Sequence, residues 1–123
     1  MAFSTEFKDF IVEQLEPLGS ALVKRMFGGA GLYLDGTIFA LLADDVLYLK
    51  VDEQNRADFE AEDMEPLSPF EDGKLVLKSY YECPPQLLED SGELCDWARK
   101  SWQAGRRADA AKALKKKKRP TKP

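Results

Sequence analysis

Arg25-Met26-Phe27-Gly28-Gly29-Ala30-Gly31 is the stretch whose residue types and spacing come nearest to a binding chemistry, with three glycines in four positions. Glycine tolerates positive φ and lets backbone N–H groups converge into an anion-holding nest. Arg25 with Gly28, Gly29 and Gly31 is therefore a candidate phosphate or carboxylate site, with Lys24 adding charge. The spacing is neither GxGxxG nor GxxxxGK, and it leads into a strand instead of a helix N-terminus. A bulge or tight connection between strands accounts for the same glycines and is the favoured reading. Tyr33, Tyr48, Tyr80 and Tyr81, with Lys50 and Lys78, are a second set, able to line a polar-aromatic face for a ligand or single-stranded nucleic acid. Alternation puts Tyr48 and Lys50 on one strand face, so Lys50 and Tyr80 join the candidate ligand-binding residues. Ordinary half-buried sheet aromatics would produce the same pattern.

Other chemistries are closed by composition. The sequence contains no histidine, which removes the commonest general base and the Ser-His and Cys-His pairings of nucleophilic hydrolases. Cys83 precedes two prolines and follows Glu82, a carboxylate that disfavours the thiolate, and Cys95 falls in an apolar helical pattern. Both read as structural. Asp44-Asp45 reads as a solvated turn, because adjacent turn residues point apart and no third ligand is near. No metal site, cofactor or catalytic residue is expected.

Charge divides the chain. Residues 1–110 carry all 22 acidic and 11 of the 18 basic residues, whereas residues 111–123 carry 7 basic and no acidic ones. Lys112, Lys115, Lys116, Lys117, Lys118 and Arg119 are therefore candidate nucleic-acid contacts, non-specific and salt-dependent because nothing beside them reads bases. The expected organisation is a domain over 1–110 and a basic, unstructured tail over 111–123, since a lysine run followed by Pro120 repels itself. The N-terminus lacks the charged and apolar regions of a signal peptide, and the longest apolar run, Ile38 to Ala43, is six residues. A cytoplasmic protein with reduced thiols and no membrane contact is expected.

The elements that must position these residues follow from periodicity. Ser4 caps a helix whose apolar stripe is Phe7, Phe10, Ile11, Leu15 and Leu18, with Gly19 at its stop. Residues 21 to 51 read as four consecutive strands, and Asp35-Gly36 is the strongest hairpin signal among them. Asp52 can cap a short helix over 53–62. Residues 66–73 read as loop, and Leu75 to Tyr81 as a further strand ended by Pro84-Pro85. A long C-terminal helix follows, with Ser91 as its cap and Leu94, Trp97, Ala98, Ser101, Trp102 and Gly105 on its packed side. The order is α-β-β-β-β-α-β-α. This is an α+β fold of two layers: an antiparallel sheet of about five strands with helices packed on it. Its two open edges would admit homo-oligomers.

Three fragments carry a resemblance: Met26-Phe27-Gly28-Gly29-x-Gly31-x-Tyr33, Asp35-Gly36-x-x-Phe39-Ala40, and Leu47-Tyr48-Leu49-Lys50-Val51-Asp52 after Asp44-Asp45. Tyr80-Tyr81-x-x-Pro84 continues them. In this order the chain resembles the TfoX N-terminal-domain family over about residues 5 to 105, a family named for a regulator of competence genes. The resemblance implies a two-layer α+β fold, present here as a stand-alone domain without that regulator's C-terminal helical domain. It also implies a regulatory or interaction module that works through protein contacts, and no active site. The alternatives are weak nucleic-acid binding through the basic tail, or a small-anion-binding protein or enzyme using the glycine-rich segment.

Overall fold

The computed structural model describes residues 3–26, 28–68 and 73–118, with backbone alone at 117 and 118. Ser4 starts α1 (Thr5–Gln14) as expected, its hydroxyl accepting the Phe7 N–H at 3.1 Å. Four strands follow in sequence: β1 (Leu22–Met26), β2 (Gly29–Leu34), β3 (Thr37–Ala43) and β4 (Val46–Lys50). Two of their hairpins close through residue pairs in the left-handed region, Asp35 and Gly36 at φ 51° and 78°, Asp44 and Asp45 at φ 52° and 55°. Such turns match the right-handed twist of the strands they join. Aspartate tolerates this region better than most residues, which gives Asp44-Asp45 a conformational reason to exist.

The chain then forms α2 (Arg56–Ala61), β5 (Pro66–Leu67), β6 (Leu77–Glu82), a 3-10 helix (Pro85–Glu89) and α3 (Ser91–Lys118). The sheet is antiparallel throughout, in the order β1-β2-β3-β4-β6-β5. It has one strand more than expected, because the two-residue β5 lies in a segment whose prolines read as loop. A bulge in β3 pairs Leu32 with Ala40 and Tyr33 with Ile38, so that Phe39 between them turns into the core with no exposure.

Every helical segment buries its apolar side into one cluster. Ile11 and Leu15 come from α1 and the residue after it, Phe59 from α2, Leu87 from the 3-10 helix and Leu94, Cys95 and Ala98 from α3. They meet Leu32, Ala40, Leu42, Leu47 and Leu49 from the strands. The stripe read on α3 is the one that packs, with Leu94, Ala98, Ser101 and Ala104 essentially unexposed. Its small residues let the helix lie close to β3. At Gly105 a Cβ would stand 2.5 Å from the Ile38 carbonyl oxygen and 2.7 Å from Thr37 Cγ2. Trp102 Nε1 donates to the Leu34 carbonyl at 2.9 Å and Thr37 Oγ1 to Asp109 Oδ2 at 2.9 Å, holding the helix in that seat.

Three local expectations are corrected. The cap of α3 is Asp90, whose carboxylate accepts the Glu93 N–H at 3.0 Å, while Ser91 donates its hydroxyl to the Gln14 carbonyl. Asp52 does not cap α2, because that helix starts only at Arg56 with Asn55 in the N-cap position; the Asp52 carboxylate accepts the Gln54 N–H at 2.9 Å in the preceding turn and is gripped by Arg107. Asn55 folds that loop instead, accepting from the Asp52 N–H at 2.8 Å and donating to the Lys50 carbonyl at 3.0 Å. Finally, the chain expected to lose structure from residue 111 stays helical to Lys118. A packed helix propagates without a new nucleus, and Ala110, Ala111, Ala113 and Leu114 are strong helix formers.

Gly105→Ala is expected to lower the unfolding free energy by about 2 kcal/mol, since the new methyl meets backbone that cannot swing away. Gly92→Ala, on the same helix with only Asp90 Oδ1 at 3.7 Å from its Cβ, should be neutral or stabilising by up to about 1 kcal/mol. Urea titration of both variants checks the pair; equal effects would remove the close approach as the cause.

Candidate functional site

Because side chains alternate along a strand, burying Leu32, Leu42 and Leu49 against the helices turns their neighbours the other way. One outward row runs across five strands as Lys24, Gly31, Leu41, Tyr48 and Glu82. Beside it lie Leu22, Tyr33 and Ile38, then Lys50 paired with Tyr80. Tyr33, Ile38, Leu41, Tyr48, Lys50 and Tyr80 are half-buried, and Leu22 is 57% exposed. Among the described residues no helix delivers its buried side chains to this face. Lys24 Nζ lies 5.0 Å from the centre of the Tyr33 ring and Lys50 Nζ 4.8 Å from that of Tyr80. Tyr81 leaves the expected aromatic face: it points inward, its ring centre 5.8 Å from that of Phe59.

The candidate ligand residues divide into two separate groups. Lys50 and Tyr80 are cross-strand neighbours on the outer face. Arg25 pairs with Ala30, which belongs to the core, and its guanidinium lies over the Phe3 ring at 5.0 Å. It therefore occupies the opposite face of an edge strand, with two strands between it and β4. Gly29 closes the β1–β2 hairpin opposite Met26, and Gly28 in the turn has φ +80°. Gly31 does lie on the outer face, but a Cβ there would meet Met26 Cε at 2.8 Å, Ile38 Cδ1 at 2.9 Å and Tyr33 Cε1 at 3.1 Å. Side chains fill the space that an anion over this backbone would need. Lys112, Lys115 and Lys116 are exposed on the last turns of α3, Lys117 and Lys118 continue its backbone, and Arg119 lies outside the described residues.

A concave site forms elsewhere, where the end of β4 and the start of β6 meet the flank of α3. This open depression of about 540 Å³ has Val51, Ala104 and Ala108 as apolar lining and Lys50, Arg56, Lys78 and Arg107 as cations, with Asp52, Glu53 and Ser79 beside them. Arg107 grips Asp52 with both arms, Nε to Oδ2 at 2.6 Å and Nη2 to Oδ1 at 3.0 Å. That guanidinium holds the Asp52 carboxyl below its usual range, helped by the Gln54 and Asn55 N–H groups. The Lys50 ammonium is pushed down by burial and by the nearby charge of Lys112, against the opposing pull of Asp109 and Asp52. Burial pushes the Tyr80 hydroxyl up to about 12. Sequence reasoning gave no role to Arg56 or Arg107, and no local spacing connects residues 55 positions apart.

Neither cysteine is placed for chemistry. Both are buried, and burial with the adjacent Glu82 pushes the Cys83 thiol up to about 12. Among the described residues no three His, Cys, Asp or Glu side chains converge as metal ligands. No described helix is long and apolar enough to cross a membrane.

The fold and its surfaces define a two-layer α+β module whose helices bury their apolar sides on one face of the sheet, with a basic helical end. The family model described as TfoX N-terminal domain matches residues 13–105. The chain belongs to the TfoX N-terminal domain family, and at the family level it is a competence-regulator-like module. No curated protein matches it.

The Asp52–Arg107 pair has a pH signature. A carboxyl lowered in the folded chain contributes stability that is present above its unfolded value of about 3.9 and lost as pH falls through the folded value. Asp52→Asn should therefore cost about 1 kcal/mol or less at neutral pH, discounted for partial exposure, and the deficit should shrink on acidification. Urea midpoints of both proteins across that range test this; a deficit that does not change with pH would assign the loss to packing.

Proposed function

We propose that this chain is a non-catalytic regulatory module that binds a protein partner on the outer face of its sheet. The observation that carries the reading is the row of Leu41 and Tyr48 between Lys24 at one end and Glu82 at the other. An apolar, aromatic centre with charged ends is the composition of a protein interface: the centre supplies burial, and the ends select orientation. Ile38 and Tyr33 widen the apolar centre. The partner surface that fits is apolar at its middle, with an acidic group to meet Lys24 and a basic group to meet Glu82. Family membership supports a regulatory setting for such a contact. The absence of histidine from the sequence and the raised Cys83 thiol leave little on which to build a hydrolytic or thiol mechanism.

Site-specific photo-crosslinking in the cell of origin tests the assignment. A photoreactive residue at Tyr48 should trap a discrete protein partner, one at Glu60 on the helical side should not, and Leu41→Glu should abolish the Tyr48 adduct while leaving the melting temperature near that of the wild type. Adducts of equal yield from both positions, or none from Tyr48, would remove the outer face as the interface.

A further inference from the structure

The depression at the end of β4 carries charge that the fold does not use. Four cations, Lys50, Arg56, Lys78 and Arg107, line it with two carboxylates, Asp52 and Glu53. Two positive charges are thus in excess, on a body whose first 110 residues have twice as many acidic as basic side chains. Among the described residues, Arg107 alone of the four is held by a carboxylate, through its paired bonds to Asp52. No described side chain makes a hydrogen bond or ion pair with Arg56 or Lys78, although acidic residues are plentiful elsewhere. Lys50 is turned partly out of solvent, and burial with the nearby charge of Lys112 disfavours its ammonium more than Asp109 and Asp52 favour it. Converging like charges raise free energy unless an anion enters among them.

The lining narrows the chemistry of that anion. Val51 and Ala104, 2% and 1% exposed, close off the floor of the depression, and Ala108, one turn beyond Ala104 on α3 and half-buried, offers the apolar wall. Ser79 adds a hydroxyl to the lining. Arg56 can offer a planar fork of donors and Lys78 a mobile point charge, a combination suited to tetrahedral oxyanions. A volume of about 540 Å³ exceeds what a bare ion needs and falls in the range of small-molecule sites.

We propose that this cleft binds a small phosphomonoester, its dianionic phosphate between Arg56, Lys78 and Ser79 and its organic part on Val51, Ala104 and Ala108. Two excess positive charges match the two negative charges of the ligand. The site is distinct from the glycine-rich hairpin and from the centre of the outer sheet face, and it does not depend on a protein partner there. Lys50 borders both the cleft and the outer face, so occupancy would change the charge presented at one corner of that face.

The test is an amide chemical-shift titration of the full chain with inorganic phosphate and with phenyl phosphate, against chloride at matched ionic strength. Saturable shifts are expected at Arg56, Lys78 and Ser79 with both probes, and tighter binding of phenyl phosphate if the apolar wall takes part. Arg56→Glu and Lys78→Glu, tested singly, should each weaken phenyl phosphate by about tenfold or more, the loss of one charge-assisted contact. Circular dichroism melting confirms that each variant is folded. Three results would overturn the assignment: no saturable shift at millimolar phosphate, shifts that survive both substitutions, or shifts confined to residues 112 to 116 and abolished by Lys115→Gln with Lys116→Gln. The last would mean that phosphate is drawn to the helical end in the manner of a nucleic-acid backbone.

Discussion

The two faces of the sheet depend on how closely α3 lies against β3 at Gly105, where any side chain would collide with the Ile38 carbonyl and the Thr37 methyl. Neither neighbour can give way cheaply, since one is backbone in a ladder and the other is a buried β-branched residue. A helix seated this near excludes water from the strands beneath it and brings Ala98, Ser101 and Ala104 into contact distance of the sheet. The bulge at Phe39 belongs to the same constraint: it turns an extra large residue inward at the strand that α3 crosses. Burial of the inner face then dictates the outer one, because a strand cannot hide one set of side chains without presenting the next.

The same seat determines where charge collects. With α3 held at Leu34 and Thr37 by Trp102 and Asp109, the stretch between them brings Arg107 to Asp52 and Ala108 to the end of β4. The helix runs on to Lys118, and its Asp109 and Lys112 stay close enough to Lys50 to act on its charge. One helix thus borders two surfaces of different character: an apolar and aromatic sheet face, and a cationic corner where sheet and helix part. Regulatory modules work through such surfaces, and the family to which this chain belongs is consistent with that economy of means.

Much of the fold was legible in the sequence, for reasons that can be named. Asp35-Gly36 announces a turn because few other pairs accept two positive φ angles in succession. The stripe of Leu94, Ala98, Ser101 and Gly105 announces a packed helix because its period matches one face. What stayed hidden was decided by partners distant in the chain. Asp52 looks like the cap of a helix that in fact starts at Arg56, its carboxylate shared between the Gln54 N–H and Arg107, and Ser91 looks like one until Gln14 takes its hydroxyl. Two-residue β5 has no period to detect. Alternation puts Tyr48 and Lys50 on one face, but that Tyr80 joins them, that Tyr81 turns inward and that Arg25 stands opposite Ala30 on the other side depend on strand register, which is not written locally. The cationic corner draws on β4, α2, β6 and α3, and no single window of sequence contains more than a fragment of it.

Neighbours on β3 offer the most direct test of this two-sided arrangement. Leu42 is 1% exposed beneath the helices and Leu41, the next residue back, faces outward. Methyl relaxation enhancement by a soluble paramagnetic probe compares them within a single residue of chain. If α3 covers one face and the other stands open, the Leu41 methyls should relax strongly while those of Leu42 remain protected. Equal protection of both would contradict the account, because the outer face would then be covered in solution.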